Sequence, residues 1–187
     1  ITTFEGGAIT TNSKRIYEKL LFLRSHSLKR TKIHDPYILI HPTLNFRMPE
    51  ICALVGIEQL KLLEKFRKKR QKIVNYYLSK LCIFKNFLTP LNFNERGIFW
   101  HLFVVRIIDY KRKYSLMNFL KKNRIGSQIH YKPIHMHSIL KKNIKINACK
   151  NSNLFYKQQL TLPLNTLMNL KQTDIIINKI KKFYLTK

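Results

Sequence analysis

The chain of 187 residues is 45% hydrophobic with five Gly and six Pro, which suits a folded core and excludes a disordered protein. No apolar run reaches about 18 residues, so the sequence predicts no membrane span. The formal charge of +27 comes from 36 Lys and Arg against 9 Asp and Glu, spread along the whole chain without any nucleic-acid-binding motif.

The first predicted elements are a short strand and an amphipathic helix. Residues 7–11 have the apolar and Thr character of a strand. Asn12 or Ser13 can cap the helix that follows, which should end near residues 24–26. Its apolar face consists of Ile16, Leu20, Leu21 and Leu23. Residues 27–47 form a long connection, since Pro36 and Pro42 break helices.

A long helical stretch is predicted from Pro49, because proline fits the first turn of a helix. An apolar patch opens it and an apolar stripe continues it, formed by Ile51, Leu54, Val55, Leu63, Phe66, Ile73, Tyr77 and Leu81. The opposite side carries Lys61, Lys65, Lys68, Lys69 and Lys72. Such a basic run is typical of a solvated helix face, which is favoured here over a nucleic-acid contact.

A change of composition predicts a domain boundary, with one domain over residues 1–82 and a smaller one over 83–187. Residues 83–99, with Pro90, are predicted to be irregular. The second domain should then contain strands at 102–108 and 128–131, an extended segment at 161–164, and helices at 113–122, 152–160 and 171–184. Gly126 should end the first of these helices and Pro133 the second strand. This alternation predicts an α/β or α+β fold.

Three polar features exceed the background. Glu5-Gly6-Gly7 allows positive φ angles and close backbone approach, although most such pairs are only turns. Asn45 and Arg47 lie in a loop just before a helix and could bind an anion. The alternative for that pair is a helix cap plus a surface salt bridge.

The third feature is the polar segment 128–137. His130, His135, His137 and Cys149 offer a zinc site in principle, but no carboxylate or Cys pair completes a tight ligand spacing, so a substrate pocket is favoured and no metal is predicted. The three Cys are widely spaced without a CxxC motif, which indicates a reduced, cytoplasmic setting.

The order of the motifs is more informative than any one of them. Six blocks closely resemble, in order, the DegT/DnrJ/EryC1/StrS family of sugar aminotransferases. They are Ile1-Thr2-Thr3-x-Glu5-Gly6-Gly7-Ala8-Ile9, Leu23-Arg24-Ser25-His26, Asn45-Phe46-Arg47-Met48 with 53–60, Trp100-His101-Leu102-Phe103, the segment 126–135 and Leu162-Pro163-Leu164.

The resemblance implies a type I fold of the aspartate-aminotransferase kind, with the end of the large domain followed by a small C-terminal domain. It implies a homodimer with shared active sites, pyridoxal 5'-phosphate as cofactor, and transfer of an amino group from glutamate to a nucleotide-linked keto-sugar in polysaccharide biosynthesis. The Schiff-base lysine is expected just upstream of Ile1, so no catalytic residue is assigned within this chain. The polypeptide alone is therefore expected to be inactive.

Site residues follow from the same resemblance. Glu5, Gly6 and Gly7 are expected at the cofactor, and Asn45 should reach the cofactor phosphate of the neighbouring subunit. Arg47, His130 and Tyr131 are expected to bind substrate. The segment 128–134 looks most like the branch that makes 4-amino sugars for pseudaminic-acid-type glycans.

Two residues depart from the family pattern, since Phe4 stands where Gly or Ala is usual and Ser27 replaces a Gly. A decayed or inactive gene fragment therefore stays as an alternative. The charge alone supports a second alternative, a basic nucleic-acid-binding module. The family's sugar-dehydrating variant is a third, since it differs at the Schiff-base lysine position expected upstream of Ile1. Without the rest of the large domain, the strand at 102–108 and the early helix should expose apolar surface.

Overall fold

The computed structural model describes residues 1–30, 37–91, 98–141 and 149–185. The chain divides into two compact units, Ile1–Leu63 and Glu64–Lys187. Over the described ranges, no helix has the length and apolar content that a membrane crossing requires.

The first unit contains two helices and a small hairpin, namely α1 (Lys14–Arg24), β1 (Leu28–Arg30), β2 (Tyr37–Leu39) and α2 (Glu50–Lys61). Helix α1 begins at Ser13, as predicted, because the Ser13 hydroxyl accepts a hydrogen bond from the Ile16 amide at 3.4 Å. It ends at Arg24, within the predicted range.

The predicted strand over residues 7–11 is wrong. Those residues form no ladder with any described residue, and a strand requires a partner for its backbone groups. The connection predicted over 27–47 instead contains β1 and β2, which pair antiparallel with Leu28 opposite Leu39. Pro36, in the middle of that connection, lies outside the described residues.

The helical stretch predicted from Pro49 divides into α2 and α3 (Leu63–Leu81), with a turn at Leu62. Helix α2 leaves much of its apolar surface uncovered, and Ile51 is 63% and Leu54 60% exposed. Among the described residues of the first unit, burial is limited to Ser27 and Cys52.

The second unit is built on an antiparallel sheet in the order β3–β4–β5. Its elements after α3 are a 3-10 turn (Cys82–Phe84), β3 (Leu88–Pro90), β4 (Phe103–Ile107), a 3-10 turn (Tyr110–Arg112), α4 (Lys113–Lys122), a 3-10 turn (Ile134–Met136), α5 (Ser138–Lys141), α6 (Lys150–Gln158), β5 (Gln159–Leu162) and α7 (Leu170–Leu185). The predicted central strand and last helix are confirmed as β4 and α7. Strand β3 lies in a segment predicted to be irregular.

The core of the second unit joins one face of the sheet to α3, α4 and α7. Tyr77 of α3 stacks on Phe103 of β4, with ring centroids 4.5 Å apart. Leu116, Leu120 and Ile180 are fully buried beside them. Since α3 buries its apolar face in this core, it groups with the second unit rather than with the predicted domain 1–82. The assignment of the parts to large and small domains stays a prediction.

Three predictions for the second unit need correction. The helix covers its predicted range, but the left-handed residue after it is Arg124, with φ 59°, and not Gly126. The strand predicted at 128–131 reduces to a single bridge between Gln128 and Thr161. The helix predicted at 152–160 ends at Gln158, and Gln159 already belongs to β5.

Candidate functional site

A hollow of about 400 Å³ in the second unit brings together three sequence blocks that lie far apart in the chain. Its walls are residues 101–102, 126–128 with His130, and 161–164. We call it the β5 hollow, because β5 and the residues after it form one wall. Three of the six motif blocks therefore meet at one cavity.

The wall that precedes β4 is held by α3. The Arg70 guanidinium donates from Nη1 to the carbonyl oxygens of Trp100 and His101, at 3.1 and 3.3 Å. The Trp100 indole donates to Gln71 Oε1 at 3.0 Å. Burial lowers the pKa of Arg70 from its ordinary value. Because Arg70 lies on the long, packed helix α3, its two hydrogen bonds fix the position of this wall. Arg70 was not singled out in the sequence, where it belongs to a basic run.

The opposite wall presents His130. Its Nδ1 lies 2.9 Å from Thr161 Oγ1, and its backbone amide donates to Gln159 Oε1 at 3.2 Å. Tyr131 follows but does not line the hollow, since its side chain is 75% exposed and meets the His130 ring edge-on. The structure thus places His130 in the cavity wall and Tyr131 beside it, facing solvent.

The other histidines of the segment have separate partners. His135 Nε2 lies 2.6 Å from Asn153 Oδ1, and His137 Nε2 lies 3.4 Å from the Lys132 carbonyl oxygen. In the part of the chain that the structure describes, no three His, Cys, Asp or Glu residues are grouped so as to hold a metal ion.

A larger cavity of about 1250 Å³ lies within the first unit. It is lined by residues 5–11, one side of α1 and residues 46–49. Glu5, Gly6, Gly7 and Arg47, all predicted as site residues, share this cavity. Most of the remaining lining is apolar, so polar groups are concentrated at few positions.

Gly6 is required by the backbone of this cavity. Its φ of 146° is one that other residues rarely adopt, and a Cβ there would lie 2.5 Å from Met48 Cε and 3.1 Å from Thr3 Oγ1. A Cβ on Gly7 would meet nothing within 4 Å. The two adjacent glycines therefore differ: the φ angle of Gly6 disfavours any other residue, while Gly7 leaves open space.

Asn45 forms a compact turn with Arg47. Asn45 Oδ1 accepts from the Arg47 backbone amide at 3.0 Å and from Arg47 Nε at 3.1 Å. The same loop is tied to the end of α1, because the Phe46 amide donates to the Arg24 carbonyl at 2.9 Å. Arg47 lines the cavity, whereas Asn45 lies behind it with an exposed side chain.

The helix-cap alternative for Asn45 is wrong, because Pro49 is the N-cap of α2 and receives no side-chain cap. The salt-bridge alternative for Arg47 finds no support among the described residues, where the ion pairs involve other basic residues. Among the described residues, the Asn45 side-chain NH₂ and the terminal nitrogens of Arg47 are the donors of this turn that have no hydrogen-bond partner. Such a donor set beside an open glycine backbone fits an anionic group.

Comparison with known proteins identifies relatives along nearly the whole chain. The profile of the DegT/DnrJ/EryC1/StrS aminotransferase family matches residues 1–181. The UDP-4-amino-4,6-dideoxy-N-acetyl-beta-L-altrosamine transaminase of Campylobacter jejuni subsp. jejuni serotype O:23/36 (strain 81-176) is 32% identical over 193 residues, which cover 98% of this chain and 51% of that protein. The chain therefore spans about half the length of the curated relatives it matches.

Solved structures show the same fold. Helicobacter pylori PseC, described as an aminotransferase involved in the biosynthesis of pseudoaminic acid, superposes with a TM-score of 0.80 at 26% identity, covering 92% of this chain and 47% of PseC. The PLP-form of Spr1654 from Streptococcus pneumoniae, a putative sugar aminotransferase in its own description, gives a TM-score of 0.80 at 22% identity over 94% of this chain and 45% of its own. The predicted α/β fold class is confirmed.

Proposed function

The chain belongs to the DegT/DnrJ/EryC1/StrS aminotransferase family, and from this premise we propose that it is part of an enzyme that transfers an amino group from glutamate to a nucleotide-linked keto-sugar. The family depends on pyridoxal 5'-phosphate. The observation that carries the proposal is the meeting of three family blocks at the β5 hollow, where Gln128 and His130 add polar groups to the wall that begins with the small residues 126–127.

For the substrate we propose a UDP-linked 4-keto-sugar. Two supports bear on this choice. The Campylobacter jejuni relative at 32% identity is named for a UDP-4-amino sugar, and PseC at 26% identity is described with pseudoaminic acid biosynthesis. A relative named for a dTDP-3-amino sugar, from Aneurinibacillus thermoaerophilus, is 26% identical. The UDP-linked sugar is therefore the first substrate to test.

For the cofactor we propose the cavity of the first unit. The open space beside Gly7 allows close approach of the cofactor to the backbone there. Asn45 does not line this cavity, and we propose that its side-chain NH₂ donates to the cofactor phosphate of the neighbouring subunit. When bound, pyridoxal phosphate supplies the electron sink that amino-group transfer requires. Arg47 and His130 are proposed to hold the anionic and polar groups of substrates. We assign the Schiff-base lysine to none of the lysines of this chain, and we propose that the active sites are shared in a homodimer.

The test uses the full-length protein that carries these residues, loaded with pyridoxal phosphate. Glutamate is supplied together with a UDP-linked 4-keto-sugar, and the release of 2-oxoglutarate is measured. A dTDP-linked 3-keto-sugar under the same conditions is the matched comparison. We expect 2-oxoglutarate with the UDP-sugar. Loss of water from the sugar without 2-oxoglutarate would instead identify the dehydrating variant, and no reaction with either sugar would reject the proposal.

A further inference from the structure

Strand β5 carries a buried glutamine whose side-chain oxygen and nitrogen both form hydrogen bonds with the backbone of residues 130–131. Gln159 is 1% exposed. Its Oε1 accepts from the His130 amide at 3.2 Å, and its Nε2 donates to the Tyr131 carbonyl oxygen at 3.2 Å. One carboxamide therefore replaces two backbone partners, since it has both an acceptor and a donor.

Thr161, two residues along the same strand, points to the same side of the sheet. Its backbone exchanges two hydrogen bonds with Gln128, at 2.8 and 3.2 Å, and its Oγ1 lies 2.9 Å from His130 Nδ1. The backbone ladder stops after this bridge. Beyond this bridge, the side chains of Gln159 and Thr161 form the hydrogen bonds that hold residues 130–131 in place.

Both side chains are more costly to bury than the leucines between and after them. A buried amide or hydroxyl without a partner costs free energy, so each is stable here only because it bonds the 130–131 segment. Neither Gln159 nor Thr161 serves the sheet through its side chain, since β5 pairs with β4 by backbone groups. Their side-chain polar atoms instead form hydrogen bonds with residues 130 and 131, beside the β5 hollow.

We propose that Gln159 and Thr161 are positioning residues: Gln159 sets the backbone at His130 and Tyr131, and Thr161 sets the ring of His130. The inference rests on the proposed function, in which His130 in the wall of the β5 hollow binds substrate. Because Thr161 Oγ1 lies within hydrogen-bond distance of Nδ1, it holds the imidazole ring in place. A hydroxyl can donate to Nδ1 or accept from it, so removing the hydroxyl should shift the balance between the two ring tautomers, and with it whether Nε2 donates or accepts toward a ligand.

The binding test uses the full-length holoenzyme and UDP-N-acetylglucosamine as probe. Gln159→Met keeps the length of the side chain and removes both hydrogen bonds. We expect the dissociation constant of the probe to rise about three- to tenfold for each bond that mattered, with pyridoxal phosphate affinity unchanged. Gln158→Met is the matched control, since Gln158 is half-buried at the end of α6 and forms no side-chain hydrogen bond with any described residue. Equal effects of the two substitutions would overturn the role of Gln159.

A second measurement does not depend on substrate. The ¹⁵N shifts of the His130 imidazole report which ring nitrogen is protonated. Thr161→Val should change that ratio, and Thr161→Ser, which keeps the hydroxyl, should restore it. A valine variant identical to the unmodified protein would overturn the role of Thr161.

These readouts separate the inference from the proposed function. If the unmodified protein binds no UDP-N-acetylglucosamine while the imidazole responds to Thr161→Val, the positioning role stands and the assigned ligand class falls. Should Gln159→Met fail to fold, Gln159→Glu takes its place in the binding test, since it keeps an acceptor for the His130 amide and loses the donor to the Tyr131 carbonyl oxygen. The Thr161 variants decide the role of Thr161.

Discussion

Phe4 and Ser27 both occupy left-handed backbone, with φ of 67° and 51°. These are the two positions where the resemblance to the family implies a different residue, Gly or Ala at position 4 and Gly at position 27. A residue with a Cβ is strained in this region, whereas glycine is not. Glycine at either position would carry no such strain, whereas this chain bears it at both.

Ser27 is the sharper case, because it is fully buried and its hydroxyl has no hydrogen-bond partner among the described residues. Ser27→Gly should raise the free energy of unfolding by about 1–2 kcal/mol, since it relieves the left-handed strain and removes the unsatisfied hydroxyl. Ser25→Gly is the control, with φ of −119° and a place at the end of α1. It should lower stability by about 0.5–1 kcal/mol. Urea unfolding of both variants in the full-length protein measures the difference, and a loss for Ser27→Gly would show that the hydroxyl has a partner after all.

Asn45 allows the cofactor role to be separated from the turn that it forms with Arg47. Asn45→Asp keeps an oxygen for the two Arg47 donors and replaces the free NH₂ by a second anionic oxygen. If the NH₂ donates to the cofactor phosphate, pyridoxal phosphate affinity in the full-length protein should fall by one to two orders of magnitude, about 1.5–3 kcal/mol. Asn45→Ala should lose as much and also release Arg47.

The contrary outcome is equally clear. If Asn45 only shapes the turn, the Asp variant should bind pyridoxal phosphate as the unmodified protein does, and the Ala variant alone should show a lowered melting temperature. Dissociation constants and melting temperatures measured on the same two variants decide between these roles.

At the scale of elements, sequence periodicity predicted the long helices and missed the three-residue strands. Helices α1, α4 and α7 follow from apolar residues repeated every three or four positions over ten residues or more. Strands β1, β2 and β3 have three residues each, which is too short for any periodic signal.

The site divides in the same way. The order of the family blocks indicated Gly6, Arg47 and His130, which the structure places in cavity walls. Gln159 and Thr161 were missed, because their importance comes from a segment about thirty positions away whose backbone they complete. Two polar residues alternating with leucines in a buried strand were the available signal.

The packing of α7 and α3 gives a matched pair of tyrosines. Tyr77 is fully buried, and its hydroxyl donates to the Pro163 carbonyl at 3.1 Å. Tyr184 stacks on Phe87, with ring centroids 4.7 Å apart, but its buried hydroxyl has no partner among the described residues. Tyr77→Phe should cost about 1–3 kcal/mol of unfolding free energy, because the carbonyl loses its donor, whereas Tyr184→Phe should be neutral or gain up to ~1 kcal/mol. Urea unfolding of the two variants checks the contrast, and equal losses would contradict it.

Tyr184 also predicts an alkaline limit of stability. Burial raises its pKa to about 12, and the neutral form is therefore favoured in the folded protein. A group with a raised folded pKa contributes stability that is complete below its unfolded pKa, about 10, and is lost as pH rises toward 12. Between these values Tyr184→Phe should lose stability less steeply than the unmodified protein. Parallel slopes in unfolding measurements across that window would rule out Tyr184 as a source of the loss.

For the whole molecule, the two units differ in how well they cover their apolar residues. The second unit has a continuous core, and β4, predicted to lose cover, is buried within it, with Phe103, Val105 and Ile107 fully enclosed. The first unit leaves α2 apolar on several sides, and a helix apolar all round is typical of a protein interior. Exposed apolar surface thus lies on α2 and, as predicted for the early helix, on α1, where Ile16 is 46% and Tyr17 54% exposed, rather than on β4.

The polypeptide 1–187 should therefore self-associate through α2, and residues 64–187 alone should be monomeric and unfold cooperatively. Replacing Ile51, Leu54 and Ile57, which are 63%, 60% and 52% exposed, by Gln should abolish most of the association.

The dependence of this association on salt concentration identifies its cause. With a formal charge of +27, like-charge repulsion opposes contact between copies, so apolar association should strengthen as salt screens that repulsion. Particles held together by bound nucleic acid should instead dissolve, because salt weakens phosphate contacts steeply. Sedimentation velocity from low to high salt measures the sign, and particles that disperse at high salt, or a monomer throughout, would reject the role of α2.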